Sequence, residues 1–219
     1  MITAPTIKFF KALKRNNNKE WFDNHRTVYE IAKKEFLFQV EEILEKLKSI
    51  DPTLMHVEAK KCVFRINRDV RFSSNKEPYK TNFGASISKG GKKIECAGYY
   101  FHLEPGNCFL GGGVWMPQSD TLKKIRMEID YNFDEFKSIL QNKFFKKYYK
   151  GLSDEAKLSR PPREYDEHNP AIEFIKLKSF TALSVLDDED ILHKNLTSKI
   201  IQHFKAIKPL IDFLNRALD

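Results

Sequence analysis

The apolar positions near the start of the chain recur at helical spacing. Ile7, Phe10 and Leu13 follow Pro5, which suits a first helical turn, and Arg15-Asn16-Asn17-Asn18 makes a polar stop. One of these asparagines can cap a second, long helix that carries Trp21, Val28, Ala32, Phe36, Val40, Ile43, Leu44 and Leu47 and ends near Asp51-Pro52. From Cys62 the period changes to two. Phe64, Ile66, Val70 and Phe72 alternate with Arg65, Asn67, Asp69 and Arg71, which predicts a half-buried strand. Arg68 interrupts its apolar side, so a bend or bulge is expected at 67–69.

Three more strands are predicted at 83–88, 94–103 and 108–115, separated by the turn signals Lys89-Gly90-Gly91-Lys92 and Glu104-Pro105-Gly106-Asn107. Short turns between consecutive strands make an antiparallel meander. Ser119 or Asp120 is expected to cap a helix through Leu122, Ile125 and Ile129, and Phe133, Phe136, Ile139 and Leu140 continue the helical pattern. Residues 159–170 read as a polar, proline-rich loop, and 172–186 fit helix or strand equally well. Asp187, Asp188, Glu189 and Asp190 suit the N-terminus of a final helix striped by Leu192, Leu196, Ile200, Phe204 and Ile207, which Pro209 should kink or end. The expected fold is α+β: one domain over 1–219, with an antiparallel meander flanked by N-terminal and C-terminal helices.

Composition narrows the class. With 219 residues, 41% hydrophobic and 31% charged, the chain can bury a core, and fibrous, low-complexity and disordered classes are excluded. No stretch approaches the roughly 18 consecutive apolar residues of a membrane span, and lysines at 8, 11 and 14 break up any secretory signal. Cys62, Cys96 and Cys108 fit neither a disulfide framework nor a zinc spacing, so the expected location is the cytoplasm and the thiols are expected to be buried and inert. The net charge of +8 changes the picture because of where it lies. Residues 60–93 hold ten basic side chains against Asp69 and Glu77, an excess equal to that of the whole chain. Such a segment points to an anionic partner, and to a discrete pocket more than a broad basic face.

Within it, the stretch from Arg65 to Lys80 is the most specific. On a strand, Arg65, Asp69 and Arg71 would share a face, so that Asp69 orients two guanidiniums whose remaining donors grip a phosphate or carboxylate. Arg68, Lys76 and Lys80 add charge, and Tyr79 offers a hydroxyl or a stacking ring. The competing reading is an ion network that only stiffens the sheet. This stretch resembles the bacterial family grouped as domain of unknown function 2461, whose RxxRDxRF signature, Asn/Asp-Lys pair and Pro-Tyr-Lys correspond to Arg65, Arg68, Asp69, Arg71, Phe72, Asn75, Lys76, Pro78, Tyr79 and Lys80. The likeness extends to 17–22 with Arg26 and Tyr29, to 99–105, to Gly111-Gly112-Gly113 with Trp115-Met116-Pro117, and to 162–165 with His168, Pro170 and 176–180. It departs at Glu164, where the family pattern has glycine. The resemblance implies no particular reaction.

Elsewhere, Tyr100, His102 and Glu104 fall on one side of a strand, opposite Tyr99, Phe101 and Leu103, and a His–carboxylate pair can serve as a base and its orienter. Any half-exposed strand would also place polar residues this way. The glycines of 111–113 lack nucleotide-loop spacing and are expected to admit a close neighbour. In 143–150, Phe144, Phe145, Tyr148 and Tyr149 form an apolar helical face, with a nucleic-acid stacking surface as the alternative. No histidine spacing suggests a metal, and no cofactor is expected. Three functions stay open. The first is binding of a phosphate-bearing small molecule or a nucleic-acid backbone by Arg65, Arg68, Arg71, Lys76, Tyr79 and Lys80. The second is an enzyme acting on a phosphate ester or nucleic acid through His102, Glu104 or Asp69. The third is an interaction module with a structural Arg–Asp network. No membrane partner is expected.

Overall fold

The computed structural model describes residues 1–91 and 95–218. Its α+β architecture is a four-stranded antiparallel meander, order β1-β2-β3-β4, with helices before, within and after it. The strands are β1 (Phe83–Ile87), β2 (Gly98–Leu103), β3 (Cys108–Val114) and β4 (Phe180–Leu186). The helices are α1 (Ala4–Arg15), α2 (Lys19–Asn24), α3 (Arg26–Lys48), α4 (Ala59–Cys62), α5 (Ser119–Tyr131), α6 (Phe133–Gln141), α7 (Lys143–Tyr148), α8 (Ile172–Ile175), α9 (Asp188–Leu192) and α10 (Leu196–Arg216). The chain falls into two compact units, one made of 1–87, 100–110 and 185–201, the other of 88–99, 111–184 and 202–219.

In the first unit, α1 starts as expected at Pro5 and buries Ile7, Phe9, Phe10 and Leu13. Asn18 caps α2 by accepting from the Trp21 amide, and the predicted long helix is then broken at His25. His25 leaves helical geometry, stacks on Trp21 at 3.9 Å and holds the Trp21 carbonyl with its Nδ1 at 2.7 Å, so the chain turns before α3 begins. α3 lays Phe36 between Phe83 of β1 and Phe101 of β2, with ring centroids at 5.0 and 5.4 Å. Full burial of each such ring stabilises the fold by roughly 1.5–3 kcal/mol. A buried hydrogen bond from the Gln39 amide to the Thr197 hydroxyl ties α3 to the start of α10.

The predicted strand over 62–72 does not form. Cys62 ends α4, and the chain then makes only isolated bridges, Val63 to Ala85 and Asn67 to Tyr79. Of its alternating apolar residues only Ile66 is buried, while Phe64 is 37% exposed and Phe72 97% exposed. The alternation has no continuous neighbouring strand to pair with, so it cannot define two faces. The bend expected at 67–69 corresponds to the place where the chain leaves for a loop.

In the second unit, Tyr99 packs on Phe204, and Phe136 on Phe174 and Phe213. Gly113 has φ +120, and a Cβ there would lie 1.9 Å from the Phe180 carbonyl oxygen, so close approach of backbone is what its glycine allows. A Cβ at Gly112 would meet the Ile207 side chain at 2.9 Å, and Trp115, just beyond, is 77% exposed. Gln118, rather than Ser119 or Asp120, occupies the cap position of α5. The ambiguous 172–186 region splits into α8 and β4, and α10 runs on through Pro209. The acidic run 187–190 starts the separate helix α9, with a capping box between Asp187 and Asp190. Phe145 and Tyr149 are buried as expected, but Phe144 is exposed. Lys89 lies at the predicted turn and is half-buried, whereas Lys92, Lys93 and the first residue of the strand predicted from 94 lie outside the described residues. Among the described residues no helix is long and apolar enough to cross a membrane.

Candidate functional site: a polar cleft beside strand β2

The basic segment is a loop closed at its neck. The Arg68 amide donates to the Pro78 carbonyl at 2.9 Å and the Lys80 amide to the Ile66 carbonyl at 2.8 Å, on either side of the 67–79 bridge. Asn17 holds the returning strand of the loop like a neighbouring backbone, since its amide donates to the Tyr79 carbonyl and its oxygen accepts from the Tyr79 amide. At the tip, the Asn75 side chain accepts from the Glu77 amide, and Lys76 donates to the Val70 carbonyl at 3.0 Å. Short side chains that bond their own backbone favour such turns over strands.

The shared face expected of Arg65, Asp69 and Arg71 is therefore not built. Arg71 alone forks Asp69, with Nε on Oδ1 at 3.0 Å and Nη2 on Oδ2 at 2.7 Å, while Arg65 is exposed and acts on Asp69 through its charge. The Arg71 hydrogen bonds, side chain before backbone, hold the Asp69 carboxyl below its ordinary range. Arg68 lies near Glu77 at 3.6 Å, an ion pair too long for a hydrogen bond. Tyr79 is 6% exposed and stacks on Phe22 at 3.9 Å, so its ring belongs to the core.

Strand β2 places its polar side as the alternation predicts, because Tyr99, Phe101 and Leu103 are buried while Tyr100 and His102 are half-buried opposite them. The outward side chains form a chain of hydrogen bonds. His102 Nε2 lies 3.3 Å from Glu104 Oε2, and Tyr100 Oη lies 3.1 Å from His102 Nδ1. Thr81 donates to Glu104 Oε1 at 2.7 Å and Asn107 to Oε2 at 3.2 Å. Burial pushes the Glu104 carboxyl up, but the bonds from Thr81, Asn107 and His102 outweigh it and leave the value lowered. An ionised carboxylate can only accept, so His102 carries its proton on Nε2, and Nδ1 accepts from the Tyr100 hydroxyl. Burial lowers the His102 value despite the opposing pull of Glu104, so the ring is neutral near pH 7. Burial, and then the Glu104 charge, raise the Tyr100 phenol. Phe109 stacks on the imidazole at 4.5 Å, and Phe64 meets Tyr100 edge-on.

Of these groups Thr81 and Glu104 line a cleft of about 270 Å³, together with Arg68, Asn75, Glu77, Tyr79, Lys80 and Asn82. His102 sits behind its wall, within 3.4 Å of Asn82 Nδ2 and bonded to Glu104. The Lys80 ammonium lies 5.3 Å from the centre of the Phe64 ring. Of the residues expected to bind an anion, the cleft collects Arg68, Tyr79 and Lys80, while Arg65, Arg71 and Lys76 do not line it. Of the acid–base candidates it takes Glu104 directly and His102 at one remove, and Asp69 stays outside, on Arg71. Asn75, named above only as part of the family signature, Glu77, named only in the charge count, and Thr81 and Asn82 are lining residues beyond the expected site. The signal for Thr81 and Asn82 was their position directly after Lys80, at the entry to β1.

The model of the conserved hypothetical protein family (DUF2461) matches residues 5–213, nearly the whole chain. The chain belongs to that family. The match takes in the loop, β2 and the 162–180 region alike, so the earlier likeness is one of the entire fold. No curated protein and no solved structure matches the chain.

Among the described residues no group of three or more His, Cys, Asp or Glu side chains is placed to hold a metal ion. Cys62 and Cys108 are buried and Cys96 is partly exposed. Burial pushes the Cys108 thiol up to about 11, which makes it a poor nucleophile.

Proposed function

We propose that this DUF2461 protein, acting in the cytoplasm, binds a phosphate-bearing small molecule in the cleft between Arg68 and Lys80. The observation that carries this reading is the pair Arg68 and Lys80 on one small polar cavity whose two carboxylates are engaged by neutral neighbours, Glu104 by Thr81, Asn107 and His102 and Glu77 by Asn75, with Arg68 only loosely engaged by Glu77 at 3.6 Å. A guanidinium whose donors are not saturated by a carboxylate keeps a fork for phosphate oxygens. Asn82 and Thr81 supply neutral polar groups at the same wall. A nucleic-acid backbone offers the same chemistry on a larger scale, but a cleft of about 270 Å³ fits one anionic group better than a polymer track. Titration calorimetry of the full chain with inorganic pyrophosphate at low salt is the test. Binding that weakens about tenfold or more in Arg68→Gln, with the melting temperature unchanged, is the expected result, and absence of binding by the parent protein removes the proposal.

A second reading, acid–base chemistry on the bound anion, is favoured by the Tyr100–His102–Glu104 chain. A water or substrate hydroxyl that displaced the Tyr100 hydroxyl from His102 Nδ1 could give up its proton there, and Glu104 would stabilise the resulting imidazolium. Turnover of phosphate monoesters that disappears in His102→Gln while pyrophosphate affinity survives would support this reading. Unchanged turnover in that variant would dismiss it.

A further inference from the structure

Phe72 is 97% exposed at the tip of the 66–80 loop. No aromatic ring among the described residues packs on it, and the Arg71 guanidinium lies 5.8 Å from its centroid. Bare apolar side chains on surfaces are common, but this one stands on a tip whose backbone is held from both sides. Before it, the Arg71 side chain is forked onto Asp69 and the Arg71 amide donates to the same carboxylate at 3.3 Å. After it, the Ser73 amide and the Lys76 ammonium both donate to the Val70 carbonyl. Such ordering keeps the ring in water without letting the loop fold it away, and it lowers the entropy lost when something binds there.

The same loop lines the cleft. Asn75, three residues beyond Phe72, is one of its walls, and three residues of chain span at most about 11 Å. The cleft, at about 270 Å³, is smaller than the usual site for a whole drug-sized ligand, so a ligand held there by its phosphate would carry the rest of its bulk outside it. An exposed ring beside a guanidinium is the surface that suits a planar, π-rich group.

We propose that Phe72 is a stacking platform for the base of a nucleoside phosphate whose phosphate sits between Arg68 and Lys80, an inference that rests on the anion-binding reading of the cleft. A membrane surface is disfavoured as the partner. The loop's basic excess would attract anionic lipid, but a single exposed ring buries too little apolar area for stable anchoring.

The test titrates the full chain separately with ribose 5-phosphate and with each of the four ribonucleoside 5′-monophosphates. At least one nucleotide should bind about tenfold tighter than ribose 5-phosphate, in line with the usual strength of base–aromatic stacking. Phe72→Ala should erase that advantage and leave ribose 5-phosphate affinity as it was, while Phe72→Trp should keep it. The melting temperature of both variants should match the parent, because the ring is in solvent. If ribose 5-phosphate binds and no nucleotide binds more tightly, or if the advantage survives Phe72→Ala, the stacking role is overturned and the phosphate cleft stands. If neither ribose 5-phosphate nor any nucleotide binds at low salt, the cleft reading falls and the stacking role with it. Loss of affinity for phosphatidylserine vesicles in Phe72→Ala, with nucleotide affinity unaltered, would overturn it in favour of a membrane role.

Discussion

The Arg71–Asp69 fork and the Tyr100–His102–Glu104 chain are made from the same materials, a carboxylate gripped by nitrogen and oxygen donors, yet they differ in what surrounds them. Asp69 and Arg71 are both exposed on a loop, and their side chains are 47% and 76% accessible. His102 and Glu104 are 12% and 19% accessible, on a strand whose opposite side faces Phe36. Water screens the first pair and competes for its donors, so it orients a loop tip and adds little to stability. In the second group desolvation makes every bond count, and an unpaired member would be costly. Charge density along the chain therefore marks the loop, while burial marks the strand as the place where protonation states are controlled.

Four measurements test this contrast. The largest effect is expected at Tyr79, which the contrast assigns to the core despite its place in the basic motif. Tyr79→Ala should cost about 3 kcal/mol by chemical denaturation, as loss of a stacked, buried ring does, and a near-neutral result would return Tyr79 to the list of free ligand contacts. Next, Glu104→Ala removes the acceptor of Thr81, Asn107 and His102, and about 2 kcal/mol should be lost. A loss no larger than that of a surface carboxylate would make the two carboxylates equivalent after all.

A smaller effect is expected from acid. Burial holds the His102 ring below its ordinary 6.5, so on acidification the unfolded chain takes up a proton that the folded chain refuses. The stability that neutral His102 contributes is full above pH 6.5 and is lost as the pH falls through its folded value. Glu104, lowered from 4.5, acts with the same sign further into the acid range. Thermal denaturation of His102→Gln should lose the upper of these two steps and keep the lower. An unchanged profile would mean that the imidazole is not desolvated. Smallest of all, Arg71→Ala should leave the melting temperature unmoved, since its partner and its surroundings are in water. A clear drop would make the fork a structural network.

Much of the fold was legible because it rests on local rules. Pro5, the stop at 15–18 and the stripe from Phe36 to Leu47 predicted α1 and most of α3, and glycine-bearing turns marked the edges of β2 and β3. His25 was not legible as a break, because it ends a helix through a stack on Trp21 that the periodicity does not encode. The alternation in 64–72 misled for the opposite reason. Period two creates a strand only where another strand offers a ladder, and here β1 offers a single bridge before the chain turns back on itself. In the site, the alternation of Tyr100, His102 and Glu104 carried through intact. The basic partners of that row differ from the expected set, since Arg68 and Lys80 reach the cleft and Arg65 and Arg71 do not.

The α+β class, the succession of β1, β2 and β3, the concentration of positive charge between residues 60 and 93 and the polar side of β2 were all readable from the chain, because each follows from residues near one another, whereas β4 joins β3 only after α5 to α8 have intervened. Tertiary structure decided which of those charges meet. The 67–79 bridge and the Asn17 clasp turn a would-be strand into a closed loop, and that closure sets Arg68 and Lys80 beside Glu104 while leaving Arg71 and Phe72 in water. The physical reason is that loop closure and desolvation depend on which distant backbone groups find partners, a quantity that no local pattern of side chains contains.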